Sequence, residues 1–457
     1  MKISRSQVAC KAHAIPQLAF EKQALTSFSG LVILQVFFRS IALREILARC
    51  FRQADSGAYP MARLFLLLVV HLMLGFRRLR SLDNYSEDPL VKDLVGFQQL
   101  PAVSTWTERL RQCPPEAIER LGAANRDFVL EELARHKIKR ITLDFDGSVL
   151  GTRRHAEGAA TGFNPQRKGQ RSYYPLFCTI SQSAQVLDVL YRSGNVHDSN
   201  GADTFMAACI GAAKTQVPGA LVEARMDSAF FSEKIISQLV GRVEYTASVA
   251  FMRFDGLKRD VEMRQRWSRI DNEWSCFEKA WRPASWNADP VRLLIVRRRQ
   301  KVQQKGPLQL DLFEPVSHEY QYSVIATNKV GSAEAVINFH HGRGSQEGVI
   351  GELKDQMNMD YVPSRWRTTN ELYVWAAVWG HNLYRRLGMN APMMRDEMDA
   401  KRPALWVFEQ ARTVRESLIH RPGRITLPGN RKLLTLSAPA KLQKKFKTVL
   451  ESWLEAA

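Results

Sequence analysis

The stretch Ile138-Lys-Arg-Ile-Thr-Leu-Asp-Phe-Asp-Gly-Ser148 is where the chain changes from helical to extended patterning. Upstream, from about residue 31 to 135, apolar residues recur at helical spacing, as in Leu31, Leu34, Phe37, Phe38 and Ile41 followed by Leu43, Ile46 and Leu47. Downstream, Tyr173 to Ser181 and Gln185 to Arg192 are further extended runs, joined by Gly-rich and polar connections. Asn200 to Lys214 then reads as helix, Ala220 to Met226 as strand, Ser232 to Leu239 as helix and Val243 to Ala250 as strand. The order βββαβαβ predicts an α/β domain that opens with an antiparallel meander and continues in alternating units.

Between about 251 and 330 the alternation stops. Short extended candidates, Arg292 to Val296 and Tyr320 to Thr327, lie among several tryptophans and suggest an inserted β-rich subdomain. A helix follows over roughly Ser345 to Asn358, then a strongly apolar one over Glu371 to Leu387. The expected division is a helical region over 1–135, the first part of an α/β core over 136–250, and the β-rich insertion over 251–330. The second part of the core, with its Glu-bearing helix, spans 331–400, and a basic segment spans 401–457.

The 457 residues imply about two to four domains. The net charge of +19 sets up a field that attracts polyanions, with nucleic acid the leading partner. Exposed helical positions such as Arg39, Arg44, Arg49 and Arg52 suit a phosphate backbone or are simply solvated helix faces, and the tail with Arg421, Arg424, Arg431, Lys432, Lys441, Lys444, Lys445 and Lys447 could be a second DNA-contacting segment. A membrane partner is disfavoured: the longest apolar run, Leu64 to Phe76, is interrupted by His71 and Gly75, is too short to span a bilayer, and reads as a buried helix. The N-terminus lacks the apolar block of a signal peptide, and the six cysteines show no CxxC pairing, so a reducing cytoplasm is expected.

Chemistry is concentrated in three places. Alternation along the first strand points Asp144 and Asp146 to one face. Gly147 and Ser148 end the strand beside Asp146, which makes it the favoured metal ligand, with Asp144 as the fallback. The run Ala220-Leu-Val-Glu-Ala-Arg-Met-Asp-Ser-Ala-Phe230 repeats the pattern and ends at Asp227, although Asp227 or Ser228 could simply cap the helix that follows. The third place is His340-His-Gly-Arg343-Gly-Ser-Gln-Glu347-Gly-Val-Ile-Gly-Glu352-Leu-Lys354. At about 100° per residue, Arg343, Glu347 and Lys354 share one helical face, and Glu352 points elsewhere. Such a stripe is either a surface salt-bridge row or a metal-binding carboxylate flanked by phosphate-gripping cations. His340 and His341 raise the thought of zinc, but no Cys or spaced carboxylate–His set accompanies them.

In these residues the sequence resembles the DDE transposases of bacterial insertion sequences, whose third carboxylate lies in a Tyr-x2-Arg-x3-Glu-x6-Lys signature. His340, Arg343, Glu347 and Lys354 meet the spacing, with His in place of Tyr. The chain is also similar to the thirteen-eighty insertion-sequence family in Leu143-Asp-Phe-Asp-Gly-Ser148, in Arg225-Met-Asp227, and in Leu100-Pro-Ala-Val-Ser-Thr105 after Asp88-Pro-Leu-Val-Lys-Asp-Leu-Val-Gly96. The likeness runs from about residue 60 to 390. It implies a ribonuclease-H-like core, whose strand order the βββαβαβ reading matches, with a β-rich insertion between Asp227 and Glu347.

It further implies that Asp146, Asp227 and Glu347 hold two Mg²⁺ or Mn²⁺ ions for phosphodiester cleavage and strand transfer at the terminal inverted repeats of an element. Arg343 and Lys354, with His340, would contact DNA near the cut, and at least a homodimer would hold two ends together in the bacterial cytoplasm. Arg297, Arg298 and Arg299, in the basic run that ends at Lys301, suit the DNA backbone or form a solvated loop. Trp267, Trp274, Trp281 and Trp286 read as core or as a platform for a displaced base, and Trp375 and Trp379 as core. The competing functions are a transposase-derived DNA-binding protein without catalysis and a simple ribonuclease-H-like nuclease without strand transfer. The long helical prefix and large insertion argue against the second.

Overall fold

In the computed structural model the run at residue 138 becomes strand β1 (Arg140–Gly147). The structure describes residues 18–454 except 22, 55–56, 154, 163, 165–166, 198, 300–319, 392 and 395–402. Residues Ile141 to Phe145 are buried on both faces of β1, as expected of a strand in the middle of a covered sheet. Its neighbours are β2 (Leu176–Ile180), paired antiparallel, and β4 (Leu221–Met226), paired parallel. β3 (Gln185–Leu190) lies beyond β2, and β5 (Glu244–Ser248) runs parallel to β4. The meander and the alternating units are both present, at bounds close to those predicted.

Four more strands continue the same sheet. They are β6 (Ser268–Arg269), β7 (Trp274–Trp281), β8 (Val291–Arg299) and β9 (Tyr320–Thr327), and the full order is β6-β7-β8-β9-β5-β4-β1-β2-β3. Ile325, Ala326 and Thr327 of β9 pair with Ser248, Ala247 and Thr246 of β5. The stretch expected as an inserted subdomain therefore extends the central sheet. Without β9, β5 would present a row of unpaired backbone groups, and an added strand is one of the ways a sheet edge is covered.

Helices α1 (Leu31–Ser40), α2 (Leu43–Phe51), α3 (Met61–Met73), α4 (Pro89–Val95), α5 (Val103–Arg111) and α6 (Pro115–Arg135) precede the sheet. Except at Arg63, α3 is buried all round, which fits its apolar sequence. α7 (Ala202–Gln216) and α8 (Glu233–Leu239) alternate with the strands, and α9 (Asp255–Glu262) follows β5. After β9 come α10 (Ala333–His341), α11 (Gly344–Gln356) and α12 (Arg367–Gly388). α12 carries the buried Trp375 and Trp379 against α3 and α6. No described helix is long and apolar enough to cross a membrane.

The two ends of the described chain fold together. Leu25–Thr26 pairs with Gly423–Thr426, which also pairs with Leu433–Thr435. Helix α13 (Ala440–Leu454) packs on α1, with the rings of Trp453 and Phe37 4.6 Å apart. The basic C-terminal segment is thus part of the helical layer and not a free tail. Asp88 secures this corner: its carboxylate caps α4 by accepting the amides of Leu90 and Val91, and it accepts a further bond from Thr26 Oγ1.

At this corner Gly30 lies close against the backbone of Leu418 and Ile419. A Cβ at this position would lie 2.1 Å from the Leu418 carbonyl oxygen, whereas one at Gly256 would meet nothing within 4 Å. Gly30→Ala is expected to lower unfolding free energy by about 1–3 kcal/mol through overpacking. Gly256→Ala should change it by no more than about 0.5 kcal/mol. Urea melts of both variants check the difference.

Candidate active site

Of the two aspartates on β1, Asp144 has 0 % exposure and is held from several sides. Arg225 on β4 donates from Nε to Asp144 Oδ1 at 2.6 Å and from Nη2 to Oδ2 at 2.8 Å, a bidentate pair. Ser181, just past β2, donates its hydroxyl to Asp144 Oδ2 at 2.5 Å. Arg225 also donates from Nη1 to the Phe339 carbonyl on α10 at 2.8 Å. One buried ion pair therefore ties together β1, β4, the end of β2 and the helix before Glu347. Asp144 is fully engaged as a structural group, and Asp146 is the aspartate left at the strand end.

Asp146 and Asp227 emerge side by side. Phe145 and Met226 form the last register pair of the parallel strands, so the next residue of each is one of these aspartates. The Asp227 carboxylate accepts the Ala229 amide at 3.0 Å and caps the short turn Ser228–Phe230. Asp227 caps this short turn and not the helix Glu233–Leu239, whose N-cap is Ser232, and the bond fixes the carboxylate at the strand end.

Glu347 arrives on the first turn of α11, where the helix dipole favours an anion. The helix is pinned to β1 by its neighbour Gln346, 1 % exposed, whose Nε2 donates to the Asp144 carbonyl at 2.9 Å. Arg343 sits at the N-cap of α11 with helical backbone angles, so the stripe extends back to it. Its Nη1 lies 3.4 Å from Asp146 Oδ2 and its Nη2 lies 3.9 Å from Glu347 Oε1. Lys354 donates to the Val149 carbonyl at 3.1 Å, and burial lowers its pKa, opposed by Asp360 and Asp146. Glu352 faces away from the stripe, toward Arg385 and the Ala411 amide.

The side chain of Asp146 is 23 % exposed and that of Glu347 is 69 % exposed. Among the described residues no group of three or more His, Cys, Asp or Glu side chains is gathered closely enough to hold a metal ion. The donor chemistry nevertheless fits one. Carboxylate oxygens are hard ligands suited to Mg²⁺ or Mn²⁺, and a cationic guanidinium already lies against two of them.

Other expected site residues lie elsewhere. His340 is 7 % exposed, with Nδ1 3.0 Å from Thr246 Oγ1 and Nε2 2.9 Å from Ser248 Oγ. Both ring nitrogens are engaged on β5, so the side chain packs against the sheet instead of reaching out to DNA. Arg297 lies between the rings of Trp267 and Tyr320, 4.5 Å from each centroid. Arg298 pairs with Glu273 at 3.2 Å and Arg299 is exposed, while Lys301 falls outside the described residues. Trp267 packs on Phe277, Trp274 on His341, Trp281 on Phe254 and Trp286 on Phe231; of the four only Trp286 is buried and the others are half-buried.

Two site-shaping residues were missed, Ser181 and Gln346. The role of Arg225 had a visible signal. Asp144-Phe-Asp146 and Arg225-Met-Asp227 each carry, two residues before the strand-end aspartate, a charge whose opposite lies in the other run.

A family model described as the transposase DDE domain, group 1, matches residues 10–456. The chain belongs to the DDE transposases of that group. Among solved structures it is similar to the piggyBac transposase in a synaptic complex with hairpin DNA, at 13 % identity and a TM-score of 0.42, over 94 % of this chain and 88 % of that one. A search of the curated proteins finds no match. Asp144 and Arg225 belong to the buried scaffold, Asp146 and Asp227 follow the last paired residues of the two neighbouring strands, and Glu347 stands on the helix pinned to β1.

Two outcomes follow from these contacts. Asp144→Ala strands a buried guanidinium and is expected to cost about 3–5 kcal/mol of stability in a denaturant melt. Burial, aided by Arg343, lowers the His340 pKa from 6.5 to about 3. Below pH 6.5 the unfolded chain takes up a proton that the folded chain refuses. The stabilising contribution is therefore complete above that pH and is lost as pH falls toward 3. At pH 5 the loss is about 2 kcal/mol, which His340→Gln should remove from the pH dependence measured between 7 and 5.

Proposed function

We propose that this chain is a metal-dependent DNA transposase that binds the terminal inverted repeats of its element, hydrolyses phosphodiester bonds there and transfers the 3′-OH ends to target DNA. The observation that carries the proposal is the family match over residues 10–456 together with the placement of the acids. Asp146 and Asp227 close neighbouring parallel strands, and Glu347 stands on a helix pinned to one of those strands. Side chains fixed on rigid elements are what phosphoryl transfer requires of a protein. The likeness to the thirteen-eighty insertion-sequence family and to a ribonuclease-H-like core belongs to the same proposal.

Asp146, Asp227 and Glu347 would hold two Mg²⁺ or Mn²⁺ ions, which when bound supply activation of a water or 3′-OH and charge stabilisation at the leaving oxygen. The chain's own residues do the rest. The Asp227 cap and the Gln346 bond hold two of the ligand-bearing elements in place. Arg343 brings a planar donor fork and Lys354 a point charge, both suited to phosphate oxygens beside the cleaved bond. The excess of 65 Lys and Arg over 46 Asp and Glu draws the duplex to the surface. Two element ends require two sites, so the working form is at least a homodimer on DNA.

The test is nicking of element-end DNA by purified protein in Mn²⁺. Asp227→Asn keeps a side chain able to cap the Ser228 turn while removing the charge. Asp146→Asn, Asp227→Asn and Glu347→Gln should each bind the end DNA yet nick it about 10²–10³-fold more slowly, the rate equivalent of several kcal/mol of charge stabilisation. Nicking that survives all three substitutions refutes the assignment. Binding of the ends with no nicking by any protein, wild type included, would favour a DNA-binding protein without catalysis.

A further inference from the structure

We infer that Arg343 is the resident counter-cation of the carboxylate site and that DNA must draw it away before divalent ions bind, which makes metal and DNA binding mutually reinforcing. The inference rests on the site assignment proposed above and adds its regulation.

Two Asp–Arg contacts on one strand differ sharply. Arg225 meets Asp144 at 2.6 and 2.8 Å, with full burial and a hydroxyl in support. Arg343 meets Asp146 at 3.4 Å and Glu347 at 3.9 Å, well beyond the usual length of a charge-assisted bond. The first contact is a fixture and the second is exchangeable. A guanidinium shared between two carboxylates lowers their mutual repulsion and occupies, electrostatically, the place a divalent ion would take. An ion entering beside it meets a like charge.

Room for the exchange is present. Arg343 also lines a cavity of ≈ 560 Å³ with Ser228, Phe251, Arg253, Tyr322 and His341. A phosphodiester entering this space finds Arg253 and can offer Arg343 a bidentate partner in place of the carboxylates. Once the guanidinium has moved to phosphate, Asp146 and Glu347 have lost the cation they share, with Lys354 still near Asp146, and attract a divalent ion more strongly. By linkage the effect is reciprocal: bound metal tightens DNA by the same factor that DNA tightens metal.

The experiment is a MnCl₂ titration read by electron paramagnetic resonance, which counts free Mn²⁺. Wild type, Arg343→Gln, Arg343→Lys and Asp227→Asn are each measured with and without a generic double-stranded oligonucleotide, and the duplex's own Mn²⁺ uptake is subtracted. Without DNA, Arg343→Gln should bind Mn²⁺ about tenfold more tightly than wild type, within the usual range of coupling. Arg343→Lys, which keeps the charge, should stay near wild type. DNA should tighten Mn²⁺ about tenfold in wild type and scarcely at all in Arg343→Gln.

If Arg343→Gln binds no more tightly than wild type while Asp227→Asn abolishes binding, the site stands and the counter-cation role is overturned. If Asp227→Asn binds Mn²⁺ as wild type does, the site assignment falls and takes this inference with it. Melting curves without metal report whether each variant is folded. Should the Gln variant not fold, the wild-type arm decides alone: Mn²⁺ affinity indifferent to DNA overturns the inference.

Discussion

The buried pair between Asp144 and Arg225 is the constraint on which the rest of the site depends. Each charge is removed from water, and each recovers hydrogen bonds from its partner, from Ser181 and from the Phe339 carbonyl. A buried ion pair of this kind is a poor stabiliser compared with apolar side chains of the same volume. What it provides here is register. Asp146 lies two residues beyond one member and Asp227 two residues beyond the other, so fixing the pair fixes where both aspartates leave the sheet. The Phe339 and Gln346 contacts extend the same control to the helices on either side of Arg343.

Outside this buried layer the interactions loosen toward solvent. Arg343 touches its two carboxylates at long range, and Glu347 is mostly exposed. This gradient from tightly to loosely held is what the proposed exchange between a phosphate and divalent cations would use. A buried base holds the strand ends, and the guanidinium of Arg343 above it makes only long contacts with its two carboxylates. Burial of His340 against Thr246 and Ser248 belongs to the buried base, since it joins α10 to β5 at the point where the added strands extend the sheet.

Much of this was legible in the sequence, for a physical reason. The strands β1 to β5 and the helices α11 and α12 announce themselves through local periodicity, which needs no knowledge of distant residues. Gly147 and Ser148 likewise mark Asp146 as the residue at a strand end. What could not be read depends on partners far away in the chain. The pairing of β9 with β5, the sheet shared by Leu25–Thr26 and Gly423–Thr426, and the placing of Arg297 between Trp267 and Tyr320 are set by tertiary contacts. His340 sits at the spacing of a signature position, and spacing alone does not tell whether a side chain faces the sheet or the solvent.

The most direct test of the central claim is anomalous diffraction from crystals of the protein grown with Mn²⁺ and duplex DNA. Manganese peaks are expected among the carboxylates of Asp146, Asp227 and Glu347, with Asp144 still on Arg225 and the Arg343 guanidinium against a phosphate. Manganese bound at Asp144, or absent from the ends of β1 and β4 while occupying another part of the chain, would contradict it.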